Sequence, residues 1–421
     1  MAGRNFSTDD DRPQRRKRGN ERGRRQNTAR GGAPRSIASG KQREEKGTRA
    51  RDLSRLHDED LLDLPTAEKL HGGRERLQKD EGHTDYGAAL EGQLTAATVV
   101  EVQRGSFLIR LDTDASGQPL AALPENAKPI PRIIRSNLRG TLEQFDLGLS
   151  SLVAAGDRVE VVIPPVSGNE EYSGMLARVH TRKNAFRRIH PSGNAIQTIG
   201  ANVDQVAIVA SAQDPEFRPG FVDRVLACAV ASGIPALLVL NKCDLGVEAD
   251  DRVLLEVYRS LGPLVFETSA RNGTGLDELA GALAGKRTVF CGHSGVGKSS
   301  LLIQLAPEFA EEIRVGEISN QTNKGTHTTT HPRLYLVTQG KLAGAEIIDA
   351  PGVREFTPAD TDRQNLWACF SEIAALQGQC RFPDCTHRVE AGCAILAALK
   401  AGEVHPRRHE SYVRIYDTLP A

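Results

Sequence analysis

The sequence contains no long apolar segment. Its longest apolar runs, such as residues 236–240, are far shorter than the roughly 20 residues that a membrane-spanning helix needs. The first residues also lack the apolar stretch of a secretory signal, and their acidic residues disfavour an organelle transit peptide although arginine is abundant. We therefore expect a cytoplasmic protein that works without a membrane.

Cysteine is also scarce. The 421 residues include seven cysteines, an odd number that does not suit a framework of paired disulfides. Three of them lie close to a histidine within residues 380–393, whereas the others are scattered and are expected to be packing residues: Cys228, Cys243, Cys291 and Cys369. This distribution fits a reducing compartment.

The chain has no net charge, because 54 basic residues balance 54 acidic ones. The balance is not local, since residues 1–50 hold 15 lysines and arginines against 6 acidic residues. Residues 1–90 have few of the aromatic and β-branched side chains that build a core, so we predict a basic disordered tail. The run at 15–25 is typical of a segment that binds nucleic-acid phosphates, although the same composition fits an arm that only keeps the protein in solution.

Short segments rich in β-branched residues begin near residue 94. They lie at 94–102, 106–112, 157–163 and 172–180, with 133–142 as a possible fifth, and glycine, proline and aspartate separate them. This spacing predicts a small all-β barrel over residues 93–181. Five strands suit an OB-like barrel, whose open face commonly binds oligonucleotides, but an SH3-like barrel would show the same pattern. Residues 182–188 follow as a basic connector.

From residue 196 the pattern changes to strands that alternate with helices. We predict strands at 206–211, 236–241, 264–267, 288–291, 333–337 and 346–349, and helices at 222–232, 254–261, 276–283 and 299–305. Such alternation predicts an α/β domain over residues 196–357, with an open parallel sheet and helices on both faces. Residues 358–421 are predicted to form a small helical domain around the cysteine cluster.

Residues 292–299, with the sequence GHSGVGKS, match the phosphate-binding P-loop between a predicted strand and a predicted helix. The glycines let backbone N–H groups surround phosphate, and the helix N-terminus adds its positive dipole end. Lys298 would reach the β and γ phosphates, and the Ser299 hydroxyl would ligate Mg²⁺. A chance glycine-rich turn is the alternative. The predicted nucleotide-binding residues are Gly292, His293, Ser294, Gly295, Val296, Gly297, Lys298, Ser299 and Ser300.

Residues 241–244, with the sequence NKCD, follow a predicted strand at the sheet edge where open α/β sheets bind ligands. A carboxylate at Asp244 can accept both N1–H and N2–H₂ of guanine, donors that adenine does not offer. Backbone N–H groups at Ser269 and Ala270 could reach the guanine carbonyl. Alone, this motif is commonly a helix cap or a turn, but beside a P-loop it favours GTP. The predicted guanine-site residues are Asn241, Lys242, Cys243, Asp244, Ser269 and Ala270.

Residues 349–352, with the sequence DAPG, close another predicted strand. In P-loop proteins an aspartate at this place, here Asp349, holds Mg²⁺, and the following glycine N–H senses the γ-phosphate. The polar segment 324–331 lies between the P-loop and this motif, and one of its hydroxyls could complete the Mg²⁺ shell. We assign Thr329, with Thr328 and Thr330 as alternatives; a plain surface loop would have a similar composition.

The order of these motifs is unusual. In ordinary GTPases the P-loop comes first, whereas here the motifs at 241 and 269 precede the P-loop at 292 and the motif at 349. One circular permutation relates the two orders, and the same sheet can still form because domain termini often lie close together. The segment after residue 352 is then joined directly to the nucleotide-sensing part.

The cysteine cluster has the spacing C-x₄-C-x-H-x₅-C. Cys380, Cys385, His387 and Cys393 supply three thiolates and one imidazole, which matches a closed tetrahedral structural zinc site. A redox pair or buried free thiols would be the alternatives.

Together these motifs resemble the ribosome small-subunit-dependent GTPase family, RsgA, also called YjeQ. The resemblance rests on the permuted order, on the segment GTHTTT at 325–330 and on DAPGVREF at 349–356, and it covers roughly residues 93–417. It implies an OB domain, a permuted GTPase domain and a zinc domain. It also implies a role in late maturation of the small ribosomal subunit, through ribosomal RNA binding and GTP hydrolysis that the subunit stimulates. Family members often have threonine where Ala350 stands, and we expect the methyl group not to disturb Asp349.

Two other functions are compatible with these motifs, and the motifs do not identify the catalytic group. A non-hydrolysing, GTP-gated RNA-binding factor, or a GTPase that acts on another RNA or a membrane-bound partner, would carry the same motifs. We expect a monomer. Val353 stands where many GTPases place the glutamine that orients the attacking water, so another group must do this. His327 is our candidate catalytic residue, with His331 and a ribosomal group as alternatives.

Overall fold

The computed structural model describes residues 84–85, 94–103, 106–113, 132–137, 149–150, 153–164, 171–190, 195–310, 331–350 and 356–420. Within these ranges no helix combines the length and the apolar character needed to cross a bilayer. The predicted tail at 1–90 lies outside the described residues except for 84–85. The domain limits 93–181, 196–357 and 358–421 stay predictions.

A closed five-stranded barrel forms the first part of the described chain. Seven strands precede residue 180: β1 (Thr84–Asp85), β2 (Leu94–Gln103), β3 (Ser106–Leu111), β4 (Ile133–Asn137), β5 (Leu149–Ser150), β6 (Arg158–Val162) and β7 (Ser173–Val179). Strand β2 pairs with β3 and β6, β3 with β4, and β6 with β7, all antiparallel. The parallel pair β4–β7 closes the ring. This closure confirms the OB-like barrel.

The barrel interior is filled by alternate residues of its strands, because successive side chains point to opposite faces of a sheet. Phe107, Ile109, Val159 and Leu176 are among the buried side chains of this core. The remaining strands lie outside the ring, where β1 pairs with β7.

Residues 182–188 are not the simple connector that we predicted. Strand β8 (Ala185–Ile189) pairs antiparallel with β9 (Ile196–Ala201), and β5 pairs parallel with β9. Phe186 is fully buried with its ring 5.9 Å from that of Phe356, and the Arg188 guanidinium lies 5.6 Å from the same ring. The prediction of a connector rested on basic residues such as Arg188, but this arginine lies in a strand and covers the Phe356 ring.

A six-stranded sheet with helices on both faces forms the second part. Its strands are β10 (Gln205–Ser211), β11 (Ala236–Asn241), β12 (Leu264–Glu267), β13 (Arg287–Gly292), β14 (Arg333–Leu336) and β15 (Glu346–Asp349). Its helices are α1 (Pro219–Ala231), α2 (Ala249–Ser260), α3 (Leu276–Leu283) and α4 (Lys298–Leu305). Five strands are parallel in the order β15-β13-β10-β11-β12. Helices α1 and α2 pack on one face, and α3 and α4 on the other.

The prediction of an entirely parallel sheet is wrong for one strand. Strand β14 runs antiparallel to β15. The connection between them, residues 337–345, is shorter than the dozen or more residues that a parallel crossover needs. Strand β14 also pairs with β2 through Arg333 and Glu101, so the GTPase sheet continues into the barrel.

A carboxylate of this sheet also binds the barrel. Glu346 of β15 forms ion pairs with Arg110 of the barrel and with Arg287 of β13, the latter at 2.6 Å. Arg287 Nη1 also donates to the Gly156 carbonyl at 2.6 Å, in the loop before β6. Gly156 has φ +92°, and a Cβ there would overlap the Ala201 carbonyl oxygen, so only glycine fits this contact.

Short helices form the last part of the chain and pack on α1. A 3₁₀ turn (Leu366–Cys369) precedes α5 (Ser371–Ala374), α6 (Ala394–Ala401) and α7 (Pro406–Thr418). Phe370, Tyr412 and Ile415 are buried in one cluster with Ala227 of α1. Arg408 of α7 forms ion pairs with Asp223 of α1 and with Glu372 of α5. These contacts fix the C-terminal helices to the GTPase sheet.

Candidate active site

The P-loop lies at the carboxyl end of β13, as its sequence predicted. Strand β13 ends at Gly292, and α4 begins at Lys298. Gly297 has φ +86°, and a Cβ there would overlap the Nδ2 atom of Asn241. Glycine is therefore needed both for the turn and for this close approach. The first turn of α4 contains no acidic residue, so its positive end is left for an anion.

Asn241 joins the P-loop to the segment that follows β12. Its side-chain Nδ2 donates to the Val296 carbonyl at 3.0 Å, and its Oδ1 accepts from the Ala270 N–H at 3.0 Å. The residue is 1% exposed. Because both amide atoms are used, Asn241 holds the phosphate-binding loop and the guanine-site loop at a fixed separation.

Asp244 lies at the other end of the same motif and is exposed. Its Oδ1 accepts from the Ser269 hydroxyl at 2.6 Å, which orients the carboxylate beside the loop at 269–270. Lys242 adopts the left-handed conformation with φ 61°, and its ammonium donates to the Asp214 carbonyl. Burial raises the pKa of the Cys243 thiol to about 11, with a smaller contribution from Glu267, so the thiol is neutral. This geometry leaves the Asp244 carboxylate accessible to a ligand.

Lys298 and Asp349 form an ion pair at the adjacent strand ends. They are brought together because β13 pairs in parallel with β15, with Phe290 opposite Asp349. Ser299 occupies the first turn of α4, one residue beyond Lys298. Oxygen atoms, such as those of the Asp349 carboxylate and the Ser299 hydroxyl, are the ligands that Mg²⁺ prefers, and the Lys298 ammonium carries the positive charge that a phosphate needs. These residues therefore fit a magnesium-bound triphosphate.

Several predicted residues lie outside the described part of the chain. They are His327, Thr328, Thr329 and Thr330, and also Val353 in the segment after Ala350. Ala350 is described and is fully buried in the core beneath the sheet. Its N–H donates to the Phe290 carbonyl at 3.2 Å. The alanine methyl group therefore packs in the interior rather than against a ligand.

The sequence motifs did not point to the loop that follows β10. Asp214 accepts from Lys242, and the Ser211 hydroxyl donates to the Pro215 carbonyl at 2.5 Å. The Phe221 ring lies 4.2 Å from the His293 ring, centroid to centroid, below the P-loop. Since β10 is the central parallel strand, the rule that ligands bind at carboxyl strand ends could have drawn attention to this loop.

The C-terminal cluster brings four potential metal ligands together. One ligand atom from each of Cys380, Cys385, His387 and Cys393 lies within 4.8 Å of the others. The Cys380 and Cys393 sulfurs are 3.9 Å apart, and His387 Nδ1 is 3.5 Å and 3.6 Å from them. A tetrahedral ion with Zn–S of about 2.3 Å and Zn–N of about 2.0 Å requires edges of about 3.8 Å and about 3.5 Å. The cluster can therefore hold a metal ion of this kind.

Glu390 organises the loop between His387 and Cys393. Its carboxylate accepts from the Thr386 hydroxyl and N–H, and from the N–H groups of Arg388 and Val389 at 2.9 and 3.0 Å. Burial opposes ionisation of this carboxylate, but these hydrogen bonds outweigh it and hold the pKa of Glu390 well below its usual value. Burial lowers the pKa of His387, which favours the neutral imidazole that a metal requires.

The site and the strand order define a circularly permuted P-loop GTPase: the guanine motif precedes the phosphate motifs, yet both lie at the same edge of one sheet. The family model for the RsgA GTPase matches residues 179–358. The chain belongs to the RsgA GTPase family, because relatives of that name are 39–42% identical to it over most of their length.

The relatives named small ribosomal subunit biogenesis GTPase RsgA include one from Chlorobaculum parvum. It is 39% identical over 275 residues, covering 64% of this chain and 86% of the relative. The one from Pseudomonas aeruginosa is 42% identical over 257 residues, covering 60% and 73%. The crystal structure of YjeQ from Thermotoga maritima matches 77% of this chain and 98% of its own, with TM-score 0.53 and 27% identity. The structure of YloQ, a circularly permuted GTPase, supports the fold with TM-score 0.51, 23% identity and coverage of 78% and 97%.

Proposed function

We propose that this GTPase hydrolyses GTP while it is bound to the small ribosomal subunit, and that it acts late in the maturation of that subunit. The relatives' names support the biological role. The observation that supports the chemistry best is the position of Asn241, which bonds both to Val296 of the P-loop and to Ala270 of the guanine-site loop. One residue thus couples recognition of the base to recognition of the phosphates.

Each group of the site has a task in this proposal. Asp244 reads the guanine edge, Lys298 neutralises the β and γ phosphates, and the P-loop N–H groups hold them. Ser299, Thr329 and Asp349 would hold Mg²⁺, which supplies neutralisation of the charge that develops on the phosphates. The ion pair between Lys298 and Asp349 holds both side chains at this site.

Activation of water requires a group that the P-loop and DAPG motifs do not supply. The side chain of Val353 can neither donate nor accept a hydrogen bond, so we expect intrinsic turnover to be slow. We propose that the small subunit positions His327 to orient the attacking water, since an imidazole can accept a proton near neutral pH.

A surface of the C-terminal part has the composition of an RNA contact. The Arg363 and Arg388 guanidinium carbons each lie 5.5 Å from the Tyr416 ring centroid, and that of Arg381 lies 5.4 Å from the Phe382 ring. Phe382 is 44% exposed. Tyr416 is half-buried. Arginines beside rings that are exposed or partly exposed suit stacked bases and phosphates, so this surface supports ribosomal RNA binding together with the barrel and the basic tail.

The metal cluster completes the proposal. Cys380, Cys385, His387 and Cys393 would bind one structural zinc ion, because three thiolates and an imidazole leave no open position for catalysis. The protein would act in the cytoplasm as a monomer. Zinc would stabilise the fold of the C-terminal helices, which present the arginine surface.

GTP turnover by the full chain, alone and with purified small subunits, tests the proposal. We expect slow turnover that subunits accelerate strongly, and loss of that acceleration in His327→Ala with GTP affinity unchanged. His331→Ala is the matched control, because it removes the other histidine of the same segment. No turnover under either condition would indicate a non-hydrolysing factor, and equal turnover with and without subunits would indicate another partner. Full acceleration in His327→Ala would indicate that His331 or a ribosomal group orients the attacking water instead.

A further inference from the structure

A cavity of about 400 Å³ lies between the GTPase sheet and the C-terminal helices. The beginning of α1 forms one wall and α7 forms the other, and His293, the second residue of the P-loop, lines the cavity as well. Its volume falls within the range of about 300–1,000 Å³ that small-ligand sites occupy. Apart from His293, no residue of the motifs that identify the family lines this cavity.

The cavity is strongly basic. Arg218 and Arg224 line it from the α1 side, and Arg407 and Arg414 line it from α7, where a spacing of seven residues places both on one helix face. The one carboxylate in the lining is Glu410, which pairs with Arg407 at 3.4 Å and with Arg414 at 2.5 Å. Four guanidinium groups and one carboxylate leave an excess of positive charge, which suits an anion.

Two further features of the lining favour a phosphate that carries an organic group. Helix α1 begins at Pro219 without an acidic residue in its first turn, and Pro219 and Gly220 line the cavity, so the positive end of the helix faces it. Phe217 and Phe221 add apolar surface to the lining. A nucleotide offers both a phosphate for the arginines and a base for the apolar surface.

We propose that this cavity binds one phosphate-bearing nucleotide of an RNA strand. Because we assign that strand to the small ribosomal subunit, the proposal rests on the proposed function. Charge complementarity selects this occupant, since RNA carries one phosphate per nucleotide beside each base. The residues of the cavity have no part in binding GTP through the guanine and P-loop motifs, apart from His293. The cavity is therefore a second nucleotide site with a different purpose.

The lining of the cavity also contacts neighbouring parts of the GTPase domain. Arg224 donates to the Phe356 carbonyl at 3.3 Å, just after the segment that follows the DAPG motif, and to the Arg414 carbonyl at 3.4 Å. A phosphate forms shorter and stronger charge-assisted bonds with a guanidinium than these carbonyls do. Binding at the cavity therefore competes for Arg224, and the Phe221 ring in the same lining contacts the His293 ring of the P-loop.

Photo-cross-linking of the full chain to a short single-stranded RNA that contains 4-thiouridine tests this site. The chain is saturated with GDP and Mg²⁺ so that the GTP site is filled, and cross-linked peptides are mapped. We expect adducts on the peptides around Phe217 and on α7, reduced at least fivefold in Arg218→Ser/Arg414→Ser. The control Lys341→Ser/Lys400→Ser removes the same charge from exposed positions outside the cavity and should keep them. Unchanged GDP affinity verifies that both variants are folded.

Three outcomes would overturn the proposal. The first is adducts only at the barrel or the tail, and the second is an equal loss of adducts in the control variant. The third is displacement of the cavity adducts by free uridine monophosphate at low concentration, because the occupant would then be a free nucleotide. The test does not depend on subunit-stimulated turnover. Cavity adducts without stimulation by subunits would contradict the proposed function alone, and stimulation without cavity adducts would contradict the cavity site alone.

Discussion

Asn241 and Asp244 belong to one four-residue motif but have different physical tasks. Asn241 is buried and uses both amide atoms within the protein, whereas Asp244 is exposed and is oriented by the Ser269 hydroxyl. Loss of Asn241 should separate the two loops, whatever nucleotide is bound. Loss of Asp244 should change only which base is accepted.

Asp244→Asn should therefore exchange the base preference rather than abolish binding. The amide cannot accept both guanine donors, and an unsatisfied polar group in such a site costs about 1–3 kcal/mol. We expect weaker GTP binding and stronger binding of xanthosine triphosphate, measured by titration calorimetry. Asp250→Asn removes an equivalent exposed charge from α2 and should leave both affinities unchanged. Unaltered GTP affinity in Asp244→Asn would show that this carboxylate does not read the base.

Sequence motifs revealed the residues that would bind the ligand but not those that support them. Asp244, Lys298 and Asp349 were predicted because spacing and strand context carry their chemistry. The carbonyl of Asp214 and the ring of Phe221 were missed, since their contacts depend on which strands become neighbours and on no local pattern.

At the scale of elements, the metal loop depends on a residue that binds no metal. Glu390 collects hydrogen bonds from Thr386, Arg388 and Val389, and so fixes the backbone between two of the ligands. Groups of this kind commonly change metal affinity by about 10–100-fold when they are altered.

Glu390→Gln should weaken zinc retention by about tenfold or more, because the amide NH₂ would face N–H donors. Competition with a chromogenic chelator measures this, with Glu403→Gln as the control at an exposed position of the same part.

Cys385→Ser should release the metal entirely and loosen the C-terminal helices while GTP affinity persists. Protein purified without chelators that contains no zinc would contradict the assignment of the metal.

Most elements could be predicted from hydrophobic pattern, and the two errors have physical causes. Strand β14 was assigned a parallel direction although its connection to β15 is too short for a crossover, so loop length contained the missing information. Strand β8 was taken for a connector because of its arginines, and only the distant Phe356 ring explains the burial of Arg188. The parallel β4–β7 pair that closes the barrel could not be predicted, because the sequence of separate strands does not show how a barrel closes.

On the scale of the whole molecule, Glu346 links the barrel to the GTPase sheet. Burial opposes its ionisation, but Arg287 and Arg110 outweigh burial and hold the pKa of Glu346 below its usual value. A carboxylate with a lowered folded pKa stabilises the protein above its unfolded pKa, which is about 4.3. That contribution is lost as the pH falls through the lower folded value.

The Glu346→Gln variant should therefore lose less stability than the wild-type protein as the pH falls. We expect the thermal midpoint of the wild-type protein to fall more steeply between about pH 5 and pH 3 than that of the variant, because the unfolded carboxylate titrates near pH 4.3. Scanning calorimetry of both proteins across this range provides the comparison. Asp277→Asn, at an exposed ion pair with Lys341, should follow the wild type. Parallel pH profiles for the wild type and Glu346→Gln would exclude a role for this carboxylate in acid sensitivity.

The permuted order gives the molecule a direct path from nucleotide to partner. The chain leaves the DAPG motif at residue 352 and continues into the C-terminal helices, which are fixed to α1 through Arg408 and Asp223. The γ-phosphate motif is thereby joined in sequence to the part that carries the C-terminal arginine surface, without an intervening domain. We therefore predict that docking on the small subunit depends on the nucleotide.

Sedimentation of the full chain with small ribosomal subunits tests this most directly, with the nucleotide as the variable. The wild-type protein should sediment with subunits in the presence of a non-hydrolysable GTP analogue, and much less with GDP or with the xanthosine analogue. Asp244→Asn should reverse the base requirement, sedimenting with the xanthosine analogue and not with the guanosine one. Sedimentation that is the same with every nucleotide, in both proteins, would contradict the account.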